Sequence, residues 1–469
     1  MEYLYDKLLN YSKTDYYAFH MPGHKRNSGI MQCSLPYDLD ITEIDGFDDL
    51  HHAKGILKQA EMRAAQLYHS QETCFLINGS TAGILSAILG CTSKGDRILV
   101  ARNCHKSVYH GIYMNELESV YLYPKFYNDM ELNGPIDVLS VEQALEEYED
   151  VKAVVITSPT YDGVLSDVEA IAERAHKKGI PLIVDEAHGA HFGLHPYFPE
   201  NANAKGADVV IHSLHKTLPS LTQTALIHMN GDLVNRRCIR KYLHMIQTSS
   251  PSYILMASMD ECIRMLLENR QECFQKYVDL LEMTRKRLKS LKHLRLLETD
   301  QYDKSKLVIS VKGTDMTSRA LHDILLKKYH LQMEMTAGSY VLAMTSVGDT
   351  YEGMQRLAEA LVEIDAGISF SRDLTTGNLP RLEKKYSSAR LDLILRKKEG
   401  ISTASLPWKE SVGYLSTEYA YIYPPGIPLI VPGEKISEEA AILLCNYDAM
   451  GFSIEGLGQE GRIEVLING

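Results

Sequence analysis

The sequence predicts a doubly wound α/β sheet followed by a smaller α/β region, and three observations carry that expectation. Short apolar runs recur through the middle of the chain. Helical patterns with recognisable start and stop signals alternate with them. Each strand–helix–strand unit takes up about thirty residues, the span of a βαβ crossover. The runs are "RILVAR" (97–102), "VKAVVITSPT" (151–160), "IPLIVDEAH" (180–188), "ADVVIHSLHK" (207–216) and "TALIHM" (224–229). Their continuous apolar character suits parallel strands covered on both faces.

Two intervening helices announce their starts. "SVEQALEEY" opens with Ser140 and has Gln143 three positions on; "SDVEAIAERAHKKG" opens with Ser166, has Glu169 three on, and stops at Gly179 after Lys177 and Lys178. Both read as capping boxes, in which a serine and the side chain three residues later satisfy unpaired amides. Residues 253–292 read as long helical material, and "KLVISVKG" (306–313) begins a second, smaller α/β segment. The charged stretch 381–398 leads to "YPPGIPLIVPGE" (423–434), whose prolines and glycines dictate a rigid loop. The expected domains are 1–295, an N-terminal segment with a ligand-binding major domain; 296–380, a small α/β domain; and 381–469, a C-terminal domain.

Bulk properties narrow the class. A chain of 469 residues is too long for one ordinary core. A formal charge of −12 argues against non-specific nucleic-acid binding and mildly favours a cationic small-molecule ligand. Eight cysteines lie singly with no CxxC pair, as in a reduced cytoplasmic protein. "MEYLYDKLLN" lacks the basic and apolar regions of a signal peptide, and no apolar run is long enough to span a membrane.

Four segments then carry chemistry. In "NGSTAGILSAILG" (78–90) a Gly-Ser-Thr turn opens an apolar helix, so Gly79, Ser80 and Thr81 offer amides and hydroxyls to a phosphate; the same residues also cap helices for structural reasons alone. "VDEAHGAHFG" (184–193) puts Asp185 at the end of a buried strand with His188 just beyond, and a carboxylate there needs a partner such as a pyridinium nitrogen. "RNCHKSVYHG" (102–111) offers His105 to stack on a flat ring or move protons. Finally, Lys216 ends an apolar strand beside Ser213 and His215; a lysine desolvated in such a place attacks aldehydes as a neutral amine. Each segment alone has an ordinary structural reading. Together, in order on successive strand ends, the anion cradle, ring-stacking histidine, pyridinium carboxylate and Schiff-base lysine describe one ligand, pyridoxal 5′-phosphate.

With "FHMPGHKR" (19–26), "GFDDLHHAKGILKQAE" (46–61) and "SPTYDGV" (158–164), these motifs resemble the Orn/Lys/Arg decarboxylase family of fold-type-I pyridoxal phosphate enzymes, in order over nearly the whole chain. The resemblance implies that Lys216 holds the cofactor as a Schiff base, Asp185 holds the pyridinium nitrogen, His105 stacks on the ring and His188 sits near the ring oxygen. It implies phosphate contacts from Gly79, Ser80, Thr81, Ser213 and His215, and places Glu334, in "LQMEMTAGSY", at the substrate's distal cation. About eighteen residues precede "FHMPGHKR", so the larger members' N-terminal wing, and a decamer built through it, are not expected. "QTSSPSY" (247–253) resembles the segment a partner subunit lends to the phosphate site, which implies at least a homodimer. The short form resembles Firmicute-type arginine decarboxylases, so arginine leads as substrate, with lysine and ornithine next.

Three rivals remain beside that reading. A transaminase or Cα–Cβ lyase shares the scaffold, but no arginine clamp for an α-carboxylate is evident. A metal-dependent hydrolase would use His188 with His191, or His105 with His110, yet "HGAH" follows a strand in a loop and the Asp185–Lys216 pair would go unexplained. A non-catalytic regulatory homologue commonly loses the lysine or the aspartate, and this chain keeps both.

Overall fold

The computed structural model describes residues 2–16, 21–22, 25, 35–371, 378–397, 400–422 and 426–468. Besides the two-residue strands Phe126–Tyr127 and Leu132–Asn133, the middle of the chain carries β1 (Glu72–Leu76), β2 (Arg97–Ala101), β3 (Glu118–Leu122), β4 (Val151–Thr157), β5 (Leu182–Asp185), β6 (Val209–His212) and β7 (Ala225–Met229). By compactness the chain divides into one unit of residues 1–91, 168–277 and 346–348 and another of 92–167, 278–345 and 349–469.

In the first unit the strand order is β1-β7-β6-β5. β5 and β6 are parallel, as expected from their apolar runs. β7 is antiparallel to both β6 and β1, which corrects the all-parallel expectation. The reason lies in the connection: between β6 and β7 there is only a single helical turn, Leu214–Thr217, and without a full helical crossover the chain returns antiparallel. β1 is not among the strands expected from sequence; its apolar run, Cys74–Ile77, is short and follows the polar Gln71, Glu72 and Thr73. Its outward backbone groups are satisfied by side chains instead. Glu61 Oε1 accepts from the Phe75 amide at 3.2 Å, while Gln247 accepts from Ile77 N–H at 2.8 Å and donates to the Phe75 carbonyl at 3.3 Å. This blocks the pairing that a bare strand edge invites.

Burial pushes the Glu61 carboxyl up to about 7, against the partial relief of Lys58 and the Phe75 amide. The native state therefore binds a proton that the unfolded chain, with an ordinary value of 4.5, has released across this interval. Stability from this group is present below pH 4.5 and is lost as pH rises through 7, in total about 3 kcal/mol. Glu61→Gln keeps the acceptor for Phe75 and removes the charge. Denaturant unfolding at pH 5 and pH 8 is expected to show a variant more stable than the parent at the higher pH only.

The same unit holds the helix Leu4–Ser12 against the first part of the long helix Tyr253–Leu288 through the buried Asp260. Asp260 accepts from the Leu4 amide at 2.9 Å and takes two bonds from the Arg63 Nη2 at 2.6 and 2.8 Å. The long helix was expected over 253–292, and it ends four residues earlier.

In the second unit β4, β2 and β3 are mutually parallel in that order. Both capping-box expectations need correction. The helix Val138–Glu147 starts earlier than Ser140: the Asp137 carboxylate caps it, accepting from both the amide and the hydroxyl of Ser140 at 3.1 Å, because a carboxylate outcompetes a serine hydroxyl at that position. Ser166 points inward, its hydroxyl accepting from the Ile136 amide at 3.0 Å, and the next helix begins at Val168. A four-stranded antiparallel sheet, β8 (Arg295–Leu297), β9 (Lys306–Ser310), β10 (Met335–Ala337) and β11 (Tyr340–Met344), runs in the order β8-β9-β11-β10. Toward the carboxyl end a five-stranded sheet and the helix Glu438–Ala449 share a core that includes Trp408, Leu429, Ile430, Leu444 and Ile463.

Candidate active site

The first unit brings together most of the residues singled out from sequence. β5 ends at Asp185 and β6 at His212, so Asp185, His188, Ser213, His215 and Lys216 all follow carboxyl ends of adjacent parallel strands. Open α/β sheets bind ligands at such ends. Lys216 Nζ lies 2.9 Å from His188 Nε2, a distance at which amine and imidazole share one proton. Lys216 is half-buried and His188 is buried.

Asp185 is buried, and Oδ1 accepts from the Ala187 amide at 3.2 Å. Burial raises its carboxyl above the ordinary value, and the charge of Lys216 and the Ala187 amide offset only part of that rise. A carboxyl in this state takes a cationic hydrogen-bond donor readily, since such a partner removes the cost of ionising it.

His215 Nδ1 lies 2.9 Å from the Thr224 carbonyl, which only accepts, so Nδ1 carries the hydrogen and Nε2 is left facing elsewhere. Burial lowers the His215 pKa; the Thr224 bond opposes this and the Lys216 charge adds to it, so the ring favours its neutral form. The hydroxyls of Ser213 and Thr217 are buried with no hydrogen-bond partner. Buried polar groups are seldom left so, and two of them flank the lysine.

Gly79 opens the helix Gly79–Cys91 with φ +73°, a left-handed conformation that side-chained residues rarely adopt. Ser80 is half-buried and Thr81 exposed at the free-amide end of that helix. Gln223 Nε2 donates to the Ile77 carbonyl at 2.6 Å, so the turn before Gly79 is tied to the segment whose next residue, Thr224, holds His215. The carboxylate, the lysine–imidazole couple, the orphaned hydroxyls and a glycine-led helix start are the donor set that pyridoxal phosphate requires, and the residues present fit it.

His105 and Glu334 belong to the second unit. His105 follows β2 and caps the helix Lys106–Met114, its Nδ1 accepting from the Ser107 amide at 3.2 Å, which leaves the neutral ring with its hydrogen on Nε2. The loop before it is anchored by Arg102, fully buried, which donates to the carbonyls of Pro428 and Leu429 and meets Glu434 at 3.3 Å. Glu334 is exposed beside β10 and accepts a hydrogen bond from the Tyr161 hydroxyl.

Sequence reasoning missed Thr217, Gln223, Arg102 and Tyr161. Tyr161 stood inside a quoted motif, whereas Gln223 carries no local signal at all. Most of "FHMPGHKR" and residues 423–425 of "YPPGIPLIVPGE" lie outside the described residues.

Residues 3–316 match the model of the Orn/Lys/Arg decarboxylase major domain, and residues 376–450 match that of the C-terminal domain. The chain belongs to the Orn/Lys/Arg decarboxylase family. An arginine decarboxylase of Bacillus subtilis is 31% identical over 468 residues, covering 97% of this chain and 95% of that protein. An arginine decarboxylase of Bacillus cereus is 32% identical over 444 residues, covering 92% and 96%. The crystal structure of the Francisella novicida lysine decarboxylase superposes with a TM-score of 0.82 at 20% identity, over 99% of this chain and 81% of that one. The family member described here is an enzyme with the fold-type-I architecture that decarboxylases share with other pyridoxal phosphate enzymes. Among its described residues no helix is long and apolar enough to cross a membrane.

Proposed function

We propose that this decarboxylase uses pyridoxal 5′-phosphate to convert a basic amino acid to its amine and carbon dioxide, with arginine to agmatine favoured over lysine to cadaverine and ornithine to putrescine. The observation that carries the reading is the Lys216–His188 contact of 2.9 Å on strand ends that also present the buried Asp185. The substrate preference is supported by the arginine decarboxylases that match nearly end to end.

When bound, the cofactor supplies a cationic ring that accepts the electron pair left as carbon dioxide departs. Lys216 would hold the cofactor through Nζ, whose amine the substrate's α-amine would replace. His188 accepts or returns the proton at Lys216 Nζ, so the lysine is neutral when it must attack and acidic when Cα must be protonated. Asp185 keeps a proton on the ring nitrogen by presenting a carboxylate that gains from a cationic partner. Gly79, Ser80, Thr81, Ser213 and His215 would hold the phosphate, and His105 would stack on the ring. A homodimer or higher homo-oligomer, with 247–253 lent to the partner's phosphate site, completes the reading, as do a cytoplasmic location and the division at residues 295 and 380.

Glu334 is the proposed contact for the distal cation. Glu334→Gln keeps the Tyr161 bond and removes the charge, so KM for arginine is expected to rise about tenfold or more with a smaller change in kcat. The reading as a whole is tested by incubating the protein and pyridoxal phosphate with equimolar arginine, lysine and ornithine and identifying amines by mass spectrometry. Agmatine in excess is the expected result. No amine from any of the three, with cofactor bound, overturns it.

A further inference from the structure

Behind the strand ends of the first unit runs a line of buried polar side chains that the proposed chemistry does not use. Glu186, next to Asp185, accepts from the Ala202 amide and lies 2.6 Å from His212 Nε2. His212 Nδ1 lies 3.0 Å from His228 Nε2, and His228 Nδ1 lies 2.7 Å from the Thr73 hydroxyl. Thr73 in turn bonds the Ser70 hydroxyl at 2.7 Å. Tyr68 lays its ring against both imidazoles, with centroids 4.7 and 5.0 Å away. The order of these side chains is the order of the strands: Thr73 on β1, His228 on β7, His212 closing β6, Glu186 just past β5. Both imidazoles are wholly buried.

The place where this line ends matters. Backbone pairing between β5 and β6 covers Ile183 with Val209, Val184 with Val210 and Asp185 with Ile211, and stops there. Asp185 is on the last rung. One residue further on, where no backbone rung remains, the Glu186–His212 bond spans the same two strands. A short hydrogen bond to a carboxylate is stronger and more directional than apolar packing, which tolerates sliding.

We propose that Glu186 and His212 are positioning residues whose bond acts as the final rung between β5 and β6, fixing the spacing between Asp185 and the turn that carries Lys216. The inference rests on the proposed role of those two residues with pyridoxal phosphate. Neither Glu186 nor His212 needs to touch the cofactor. Asp185 and Lys216 already feel one another's charge, so a change in their spacing alters how the lysine-linked cofactor titrates.

The full-length protein reconstituted with pyridoxal phosphate supplies the test. The visible absorbance of the cofactor linked to Lys216 is titrated against pH, kcat and KM are measured, and folding is followed by thermal melting. Glu186→Leu is expected to move the titration midpoint by about one pH unit and to lower kcat about tenfold with KM little changed. Glu186→Gln, which restores a hydrogen bond to His212, is expected to return the midpoint to the parental value. His228→Leu cuts the line beyond the rung and is expected to lower the melting temperature while leaving the midpoint in place. Should Glu186→Leu fold poorly, the double variant Glu186→Leu with His212→Leu replaces the pair by an apolar one, an exchange that folds tolerate well. A folded single or double variant that titrates as the parent does overturns the inference, as does a Glu186→Gln protein indistinguishable from Glu186→Leu. If the parent itself shows no lysine-linked absorbance, the proposed function falls and this inference with it; parental absorbance with unshifted variants overturns the inference alone.

Discussion

Replacing Lys216 by alanine is expected to lower amine production by about four orders of magnitude and to abolish covalent attachment of the cofactor. The lysine has two tasks in the proposed reaction, holding the cofactor and moving a proton at Cα, and it is the single lysine in the sequence between β6 and β7. After borohydride reduction and proteolysis, the parent is expected to yield a cofactor-labelled peptide that contains Lys216. An unlabelled Lys216 in active parent protein sinks the proposed mechanism. Lys216→Arg is a sharper control. It keeps a positive charge at this position, but a guanidinium stays protonated and cannot attack. It is expected to be as inactive as Lys216→Ala, which separates the need for a neutral amine from the need for a charge.

Asp185→Asn carries the second large effect. An amide cannot hold a proton on the ring nitrogen electrostatically, so kcat is expected to fall by about three orders of magnitude, while the Lys216 link still forms. Stability is expected to move the other way. Burial raises the Asp185 carboxyl above its unfolded value, so the carboxylate's contribution to the cofactor-free protein is best at low pH and is lost as pH rises through the native pKa. At neutral pH the cofactor-free Asn variant is therefore expected to melt no lower than the cofactor-free parent. Adding cofactor should stabilise the parent more than the variant. A variant that melts far lower without cofactor would mean that Asp185 holds the strand end together, and the electrostatic role would lose its support. Sites that store such cost for function are common in enzymes.

The corrections to β7 and to the second capping box have different origins, a short connection in one and a distant partner in the other. β7 has the apolar run of a parallel strand, "TALIHM", yet it runs antiparallel because only one helical turn separates it from β6. Ser166 has the spacing of a capping box, but its hydroxyl is taken by the Ile136 amide from a distant part of the chain. Local pattern states what a segment favours. The partner that competes for it comes from elsewhere.

The site shows the same division. Asp185, His188, Ser213, His215 and Lys216 were legible because each follows an apolar run, and strand ends are where α/β sheets place chemistry. The family could be read from motifs spread in order along the chain, and the match over residues 3–316 agrees. What no local pattern carries is the set of residues that hold the site in shape. Gln223 joins the turn before Gly79 to the His215 segment across 146 positions of sequence. Arg102 grips carbonyls more than three hundred residues away. His212 reads in sequence as one more polar residue before a lysine, and only the sheet brings it to Glu186 on one side and His228 on the other. By itself the sequence determined the strands β2, β4, β5, β6 and β7, the candidate residues at their ends and the chemistry those residue types permit, because these depend on neighbours along the chain. The satisfaction of buried polar groups and the spacing between Asp185 and Lys216 were decided by tertiary structure alone, because hydrogen bonds between distant segments are set only when those segments meet.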